Sequence, residues 1–114
     1  LVQTVEGLDT GVTFEYYDPL KFKSSFDVGV SLDYFGKIKS KSVIDAYFII
    51  LDAGEYEVEF DFLDKNGKSL MNRKSTAEVT EGTRKHTVVS FALNPDEEES
   101  LQNTEYTQIN VSKK

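Results

Sequence analysis

Apolar and polar residues alternate one by one along much of this chain. Acidic residues separate the apolar side chains of residues 56–62, which are Tyr56, Val58, Phe60 and Phe62. Successive side chains of a β-strand point to opposite faces of a sheet, so this segment predicts a strand with one buried and one solvated face. Residues 26–34 alternate in the same way and predict a second strand. No segment of useful length has the 3.6-residue period of an amphipathic helix, which favours an all-β fold.

Segment 42–51 differs from these two because its apolar residues fall on both parities. A strand of this kind has most of both faces covered, as in the centre of a β-sandwich. The sequence Asp52-Ala53-Gly54 that follows is a turn signal. Its short length predicts a hairpin between strands 43–51 and 55–63.

Turn residues also divide the second half of the chain. The pair Asn66-Gly67 tolerates positive φ and predicts a tight hairpin turn at residues 64–67. A strand is predicted after this turn, up to a second turn at Glu81-Gly82. Residues 85–93 form the next predicted strand, with Val89, Phe91 and Leu93 on one parity.

The sequence Asn94-Pro95 ends this strand because proline cannot donate to a ladder. Residues 95–100 contain Asp96, Glu97, Glu98 and Glu99. Four consecutive carboxylates predict a solvated loop, with a short helical turn, a cation site or a basic partner as alternatives. Residues 105–112 then predict a closing strand, with Thr107, Ile109 and Val111 on one parity. Residues 1–7 and 11–18 are weaker strand candidates.

Seven or eight short strands, with turn signals about every 8–12 residues, predict an immunoglobulin-like antiparallel β-sandwich. At 114 residues the chain has the size of one domain and can bury a core without disulfides or a metal. We therefore expect residues 1–114 to form a single sandwich domain. The chain begins with Leu1 and not with Met, which suggests that it is part of a longer exported precursor. An extracellular or cell-envelope location is the expectation.

The charge of the chain excludes one class of partner. The net charge is -7, and acids outnumber bases in each third of the sequence. Nucleic acid is therefore not an expected partner, because no segment offers the basic stripe that a phosphate backbone attracts. No apolar run approaches the roughly 18 residues of a membrane span. The sequence has no cysteine, which excludes thiol catalysis, cysteine-ligated metals and disulfides.

The run Phe60-Asp61-Phe62-Leu63-Asp64 resembles the F-x-L-Y-D pattern of the FxLYD-type domains. These are small immunoglobulin-like modules of bacterial cell-envelope proteins and lipoproteins. Phe60 and Asp64 match the pattern as they stand, whereas Phe62 and Leu63 replace its Leu and Tyr.

Residues 79–83 and 88–91 are similar to the turn and apolar strand that follow the motif in such domains. The resemblance therefore covers residues 43–93. It implies an envelope location and no catalysis, and it defines no ligand.

The run Asp64-Lys65-Asn66-Gly67 also has the form of the start of a calcium-binding loop. An EF-hand loop needs a bidentate Glu at its twelfth position, which is Ser75 in this chain. We therefore interpret the run as a hairpin turn, and we expect neither a metal nor another cofactor.

Two sets of residues bear on catalysis. His86 is the only histidine, and its parity with Val88 and Ser90 predicts a surface position on the outer side of its strand. Glu55, Glu57, Glu59 and Asp61 occupy alternate positions. Such positions are about 7 Å apart on one strand face, and nothing in the sequence predicts a cleft around them. We expect a non-enzymatic protein with no catalytic residues.

Aromatic and basic residues are the candidates for an interaction surface. Tyr16 and Tyr17 are consecutive, so one of them points outward if they lie in a strand. The local basic character of the first third comes from Lys21, Lys23, Lys37, Lys39 and Lys41. The last three project on one side of an extended segment. They either meet an acidic surface or a cell-wall polymer, or, as we favour, shield an edge strand.

These features predict a non-catalytic extracytoplasmic module that contacts a protein or a cell-envelope polymer through a sheet face or loops. A carbohydrate-binding module of a larger protein is one alternative, because an exposed pair of tyrosines can stack on a sugar. A structural subunit of a surface, secretion or phage assembly is another. In that case segment 42–51 buries its second face against a neighbour.

Overall fold

A computed structural model of the chain describes residues 17–80 and 86–114. Within these ranges, eight strands form two four-stranded sheets, and one short helix connects the last two strands. The strands are β1 (Tyr17–Pro19), β2 (Phe22–Phe26), β3 (Val30–Ile38), β4 (Val43–Ile50), β5 (Gly54–Leu63), β6 (Ser69–Val79), β7 (Thr87–Ala92) and β8 (Tyr106–Lys113). The helix is α1 (Pro95–Gln102). The prediction of an all-β sandwich is confirmed.

The first sheet has the strand order β1-β3-β4-β7 and the second has the order β2-β8-β5-β6. β1 and β2 follow each other closely in the chain but belong to different sheets. β1 pairs antiparallel with β3, whereas β2 pairs parallel with β8. This parallel pair departs from the predicted antiparallel arrangement, which the other pairings follow within the described residues.

The two sheets meet through the apolar parity of their strands. Four phenylalanines lie at the centre of the core, where the rings of Phe35 and Phe60 are stacked 5.8 Å apart and Phe62 and Phe91 pack beside them. The buried residues include the predicted inward positions of the two C-terminal strands, which are Val89, Phe91, Leu93, Thr107, Ile109 and Val111. The parity predicted for these strands is confirmed.

Both faces of β4 are covered, as its two apolar parities predict. One face of β4 enters the core through Ile44, Ala46 and Phe48. On the other face Asp45 is only 8% exposed and Tyr47 is half-buried. Tyr17 and Ser90, whose hydroxyl groups donate to Asp45, help to cover this second face.

The predicted hairpin between strands 43–51 and 55–63 is wrong. β4 lies in the first sheet between β3 and β7, and β5 lies in the second sheet between β8 and β6. The turn at residues 51–53 therefore carries the chain across the sandwich. Gly54 has φ +148, a backbone conformation that residues with a Cβ rarely adopt, so the crossing favours glycine.

The strand predicted at residues 26–34 is interrupted, and only residues 30–34 show the predicted alternation, as part of β3. β2 ends at Phe26, and β3 begins at Val30 after a turn in which the Val30 N–H donates to the Asp27 carbonyl at 3.2 Å. Gly29 supplies the positive φ of this turn. Val28 consequently lies at the tip of the turn, almost fully exposed, and not on the apolar face of a strand.

The predicted loop at residues 95–100 is part of helix α1. Asn94 caps it: its side chain accepts from the Glu97 N–H at 2.8 Å, and Glu97 Oε1 accepts from the Asn94 N–H at 3.0 Å. Pro95 begins the helix, and its first turn is acidic, which suits the positive end of a helix dipole. The reciprocal cap outweighs the repulsion among the carboxylates.

Three predictions lie outside the described residues, in whole or in part. They are the strand at residues 1–7, most of the strand at residues 11–18 and the turn at Glu81-Gly82. Among the residues that the structure describes, no helix has the length and apolar character required to cross a bilayer.

Candidate functional site

An open groove of about 590 Å³ lies where the chain passes from β1 to β2 and where β8 begins. Its lining residues are Leu20, Lys21, Phe22, Lys23, Glu105 and Tyr106. We call this the β2 groove.

Backbone hydrogen bonds to both sheets fix the floor of the β2 groove. The Leu20 N–H donates to the Phe35 carbonyl of the first sheet at 3.1 Å. The Thr107 N–H of the second sheet donates to the Lys21 carbonyl at 3.0 Å. Two successive residues are thus held by different sheets, so the groove is set on rigid strands.

Phe22 is the main apolar element of the β2 groove. Its ring packs edge-to-face against Phe35 of the core at a centroid distance of 6.0 Å, but the residue is still 40% exposed. A ring anchored on one side and open on the other offers contact area with little loss of side-chain entropy on binding.

Charged and aromatic side chains form the rim of the groove. Lys23 Nζ lies 4.5 Å from the centroid of the Tyr106 ring, which is a cation–π geometry. Lys21 Nζ lies 3.9 Å from Glu105 Oε2, and both of these side chains are largely exposed. Exposed ion pairs contribute about 0–1 kcal/mol, so the pair with Glu105 leaves Lys21 available to a partner.

The sequence makes Tyr16 and Tyr17 candidates for an interaction surface. Tyr17 is only 7% exposed, and its hydroxyl donates to Asp45 Oδ2 at 2.7 Å and lies 2.8 Å from the Tyr47 hydroxyl. Burial raises the pKa of Tyr17 well above its ordinary value, and the hydrogen bonds with Tyr47 and Asp45 add to the rise. Tyr17 therefore presents almost no ring surface to a partner, and Tyr16 lies outside the described residues.

Lys37, Lys39 and Lys41 lie at the end of the first sheet where β3 turns into β4. Lys39 and Lys41 are exposed, whereas Lys37 is half-buried, lies opposite Asp18 in β1 and donates its Nζ to the Ile38 carbonyl at 3.1 Å. The structure brings these lysines to one end of the sandwich, but none of them lines the β2 groove. Their role as an interaction surface stays a prediction.

His86 has the predicted parity but not the predicted exposure. Its side chain is only 8% exposed, its Nε2 lies 2.7 Å from Asp33 Oδ2, and its ring packs edge-to-face on Tyr47. His86 thus lies on the predicted outer side of the sheet, but its predicted exposure is wrong because Asp33 and Tyr47 cover the ring.

The Asp64-Lys65-Asn66-Gly67 run forms the turn between β5 and β6, as predicted. Asp64 Oδ1 accepts the backbone N–H groups of Asn66 at 2.8 Å and Lys68 at 2.9 Å, and Gly67 has φ +82. The hydrogen bond from Lys68 is the largest cause that lowers the pKa of Asp64. Within the described ranges, no group of three His, Asp or Glu side chains is placed to hold a metal ion.

Lys21 and Lys23 stand out in the sequence as local basic residues, but no sequence pattern predicts the β2 groove. Phe22 carries no signal of its own, since one Phe beside a lysine is a common sequence feature. The groove depends on the parallel pairing that places Phe22 opposite Thr107, next to Tyr106. No local pattern gives that pairing.

The fold and the groove together define a class of protein: an all-β sandwich in which the chain passes from the edge of one sheet, at β1, to the edge of the other, at β2, with an aromatic groove at this crossing. Comparisons with protein-family models, with curated proteins and with solved structures gave no match. The resemblance to the FxLYD-type domains therefore stays a prediction.

Proposed function

We propose that this chain is a non-catalytic extracytoplasmic module that binds a protein or a cell-envelope polymer through the β2 groove. The observation that supports this proposal is Phe22, which is 40% exposed in a groove rimmed by Lys21, Lys23 and Tyr106. Interfaces are commonly organised around a rigid aromatic anchor with a polar rim. The groove has this arrangement on an otherwise acidic protein.

A carbohydrate ligand is the second candidate. Tyr106, Gln108 and Asn110 occupy alternate positions of β8 and share the outer face of the second sheet. Gln108 Nε2 donates to Asn110 Oδ1 at 3.2 Å, and this amide pair lies beside the tyrosine at the end of the groove. A ring next to amide groups is a combination that stacks on a sugar and bonds its hydroxyls.

A binding screen with matched variants tests the proposal. The immobilised chain is exposed to a display library of random peptides and to a glycan array. Hits are then measured on Phe22→Ser and on Val88→Ser, which removes another exposed apolar residue, 47% exposed on β7 of the first sheet. We expect Phe22→Ser to weaken binding at least tenfold and Val88→Ser to leave it unchanged.

Equal binding by the two variants would place recognition elsewhere on the molecule and overturn the proposal. Circular dichroism of both variants checks that the fold is retained. The source of the hits separates the two candidates, since peptides support a protein partner and glycans support the second candidate.

A further inference from the structure

We infer that the β2 groove receives an extended acidic polypeptide segment, which pairs with the free edge of β2 as an added strand of the second sheet. This inference rests on the proposed function. It adds the chemistry of the partner and its mode of binding.

The first argument is the open backbone edge of β2. β2 is the terminal strand of the second sheet and pairs only with β8 among the described strands. The Lys21 carbonyl and the Asp27 N–H both bond to β8. The backbone N–H and C=O groups of successive residues in a strand point to opposite sides, so those of the odd-numbered residues of β2 point toward β8. Phe22, Ser24 and Phe26 therefore direct their N–H and C=O groups away from β8.

The second argument is the access to this edge. Residues 22–25 are exposed, and Ser24 and Ser25 are small enough to let another backbone approach. The neighbouring edge strand β1 comprises Tyr17–Pro19 among the described residues and ends at Pro19. On the opposite side of the sandwich, Arg73 of β6 donates to the Ala92 carbonyl of β7, so a side chain bridges the edges of the two sheets at that side.

The third argument is charge. Lys21 and Lys23 flank Phe22, while the whole chain has a net charge of -7. A local positive edge on an acidic protein attracts an acidic segment, and the like charges of two such edges disfavour pairing of β2 with β2 between two copies of the chain. Lys23 lies over the Tyr106 ring, so its side chain leaves the backbone edge uncovered.

These features specify the partner segment. Its backbone bonds the groups of Phe22, Ser24 and Phe26, its carboxylates meet Lys21 and Lys23, and one apolar side chain lies on the Phe22 ring. In an added strand, acidic and apolar residues therefore alternate.

The test uses two labelled peptides, one of alternating Glu and Val with a central Phe and one with Lys in place of Glu. Ser24→Pro removes an outward N–H without changing the bonds to β8, and Ser25→Ala is its matched control. The double variant Lys21→Glu and Lys23→Glu reverses the charge, and Lys39→Glu with Lys41→Glu is the matched reversal outside the groove. N-methylation of alternate peptide bonds in the acidic probe is a further measurement that leaves the protein unchanged.

We expect the intact chain to bind the acidic probe at least tenfold better than the Lys probe. Ser24→Pro, the Lys21 and Lys23 reversal, and N-methylation should each weaken binding at least tenfold, whereas both controls should retain it. Hydrogen exchange by NMR should show protection of the Phe22, Ser24 and Phe26 amides in the complex.

Four outcomes overturn the inference. Binding that survives both Ser24→Pro and N-methylation would exclude strand addition. Equal binding of the two probes, or loss on reversal of Lys39 and Lys41 alone, would exclude the assigned charge contacts. Failure of both probes, with glycan hits that depend on Phe22, would reject the polypeptide partner and leave the proposed function standing.

Discussion

Arg73 Nη1 lies 3.1 Å from Oε1 and 3.0 Å from Oε2 of Glu97. Arg73 belongs to β6 of the second sheet, and Glu97 belongs to α1, which follows β7 of the first sheet. The same nitrogen donates to the Ala92 carbonyl at 3.0 Å, and the guanidinium lies over the Phe91 ring at 4.7 Å. Glu97 therefore serves two purposes: it completes the cap of α1 and it holds β6 against the first sheet.

Arg73→Met should lower the free energy of unfolding by about 1–3 kcal/mol, because the Glu97 carboxylate and the Ala92 carbonyl lose a charged donor. Methionine keeps much of the aliphatic stem, so the loss reports on the guanidinium. Lys74→Met, at the next and more exposed position, should change stability by less than about 0.5 kcal/mol. Urea denaturation measures both, and equal effects would show that the Arg73 contacts contribute nothing specific.

Gly36→Ala should also destabilise the fold. A Cβ at Gly36 would lie 2.8 Å from the Asp18 carbonyl oxygen and 2.8 Å from Tyr34 Cε2. The carbonyl belongs to β1 and cannot retreat without loosening its pairing with β3, so we expect a loss of about 1–3 kcal/mol. Ser40→Ala in the exposed turn is the control, and thermal melting that is unchanged in both variants would contradict the expectation.

The sequence predicts the faces of the strands well because the alternation is local. Tyr56, Val58, Phe60 and Phe62 are buried, as their spacing predicts. It predicts the partners of the strands poorly. The short turn after β4 favours a hairpin, but the preceding strand β3 and the distant strand β7 occupy both edges of β4 and leave none for β5.

The same limit applies to the candidate site. Asn94 and Glu97 have the three-residue spacing of a capping box, a helix signal that the run of four carboxylates obscures in the sequence. Phe22 and Tyr106 carry no such signal, since a pairing between the first and last thirds of the chain brings them together. Asp45 was one polar residue in an apolar run, and only the fold shows that Tyr17 and Ser90 donate to it.

The hairpin turn should contribute a pH-dependent term through Asp64. Its pKa lies below the ordinary value of 3.8, so its ionised form stabilises the folded state above that pH. This contribution is lost as the pH falls through the folded-state pKa. Asp64→Asn keeps an oxygen acceptor but cannot ionise.

We therefore expect the wild type to be more stable than Asp64→Asn by a constant amount between about pH 5 and 7. This difference should shrink below pH 3.8. Asp52→Asn, an exposed position outside the hairpin, is the control for a general charge effect. A difference that is independent of pH down to about pH 2 would show that ionisation of Asp64 does not stabilise the turn.

Tyr17→Phe should have two separable effects on stability. The Tyr17 hydroxyl donates to Oδ2 of the buried Asp45 at 2.7 Å, and its loss at neutral pH should cost about 1–3 kcal/mol, because that carboxylate then has one donor fewer.

Burial also raises the pKa of Tyr17 above 10.0, so the folded wild type holds a proton that the unfolded chain releases. The wild type consequently loses stability as the pH rises above 10.0, and Tyr17→Phe lacks this loss. Urea denaturation should show that the difference in free energy of unfolding between the wild type and Tyr17→Phe narrows as the pH rises from about 7 to 11. Ser90→Ala removes the donor to Asp45 Oδ1 and is the control, because its difference from the wild type should stay constant over the same range. Tyr34 and Tyr56, whose pKa values are also raised, remain in all three proteins and cancel in the comparison. If the difference in free energy of unfolding between the wild type and Tyr17→Phe does not narrow, the Tyr17 phenol does not control alkaline stability.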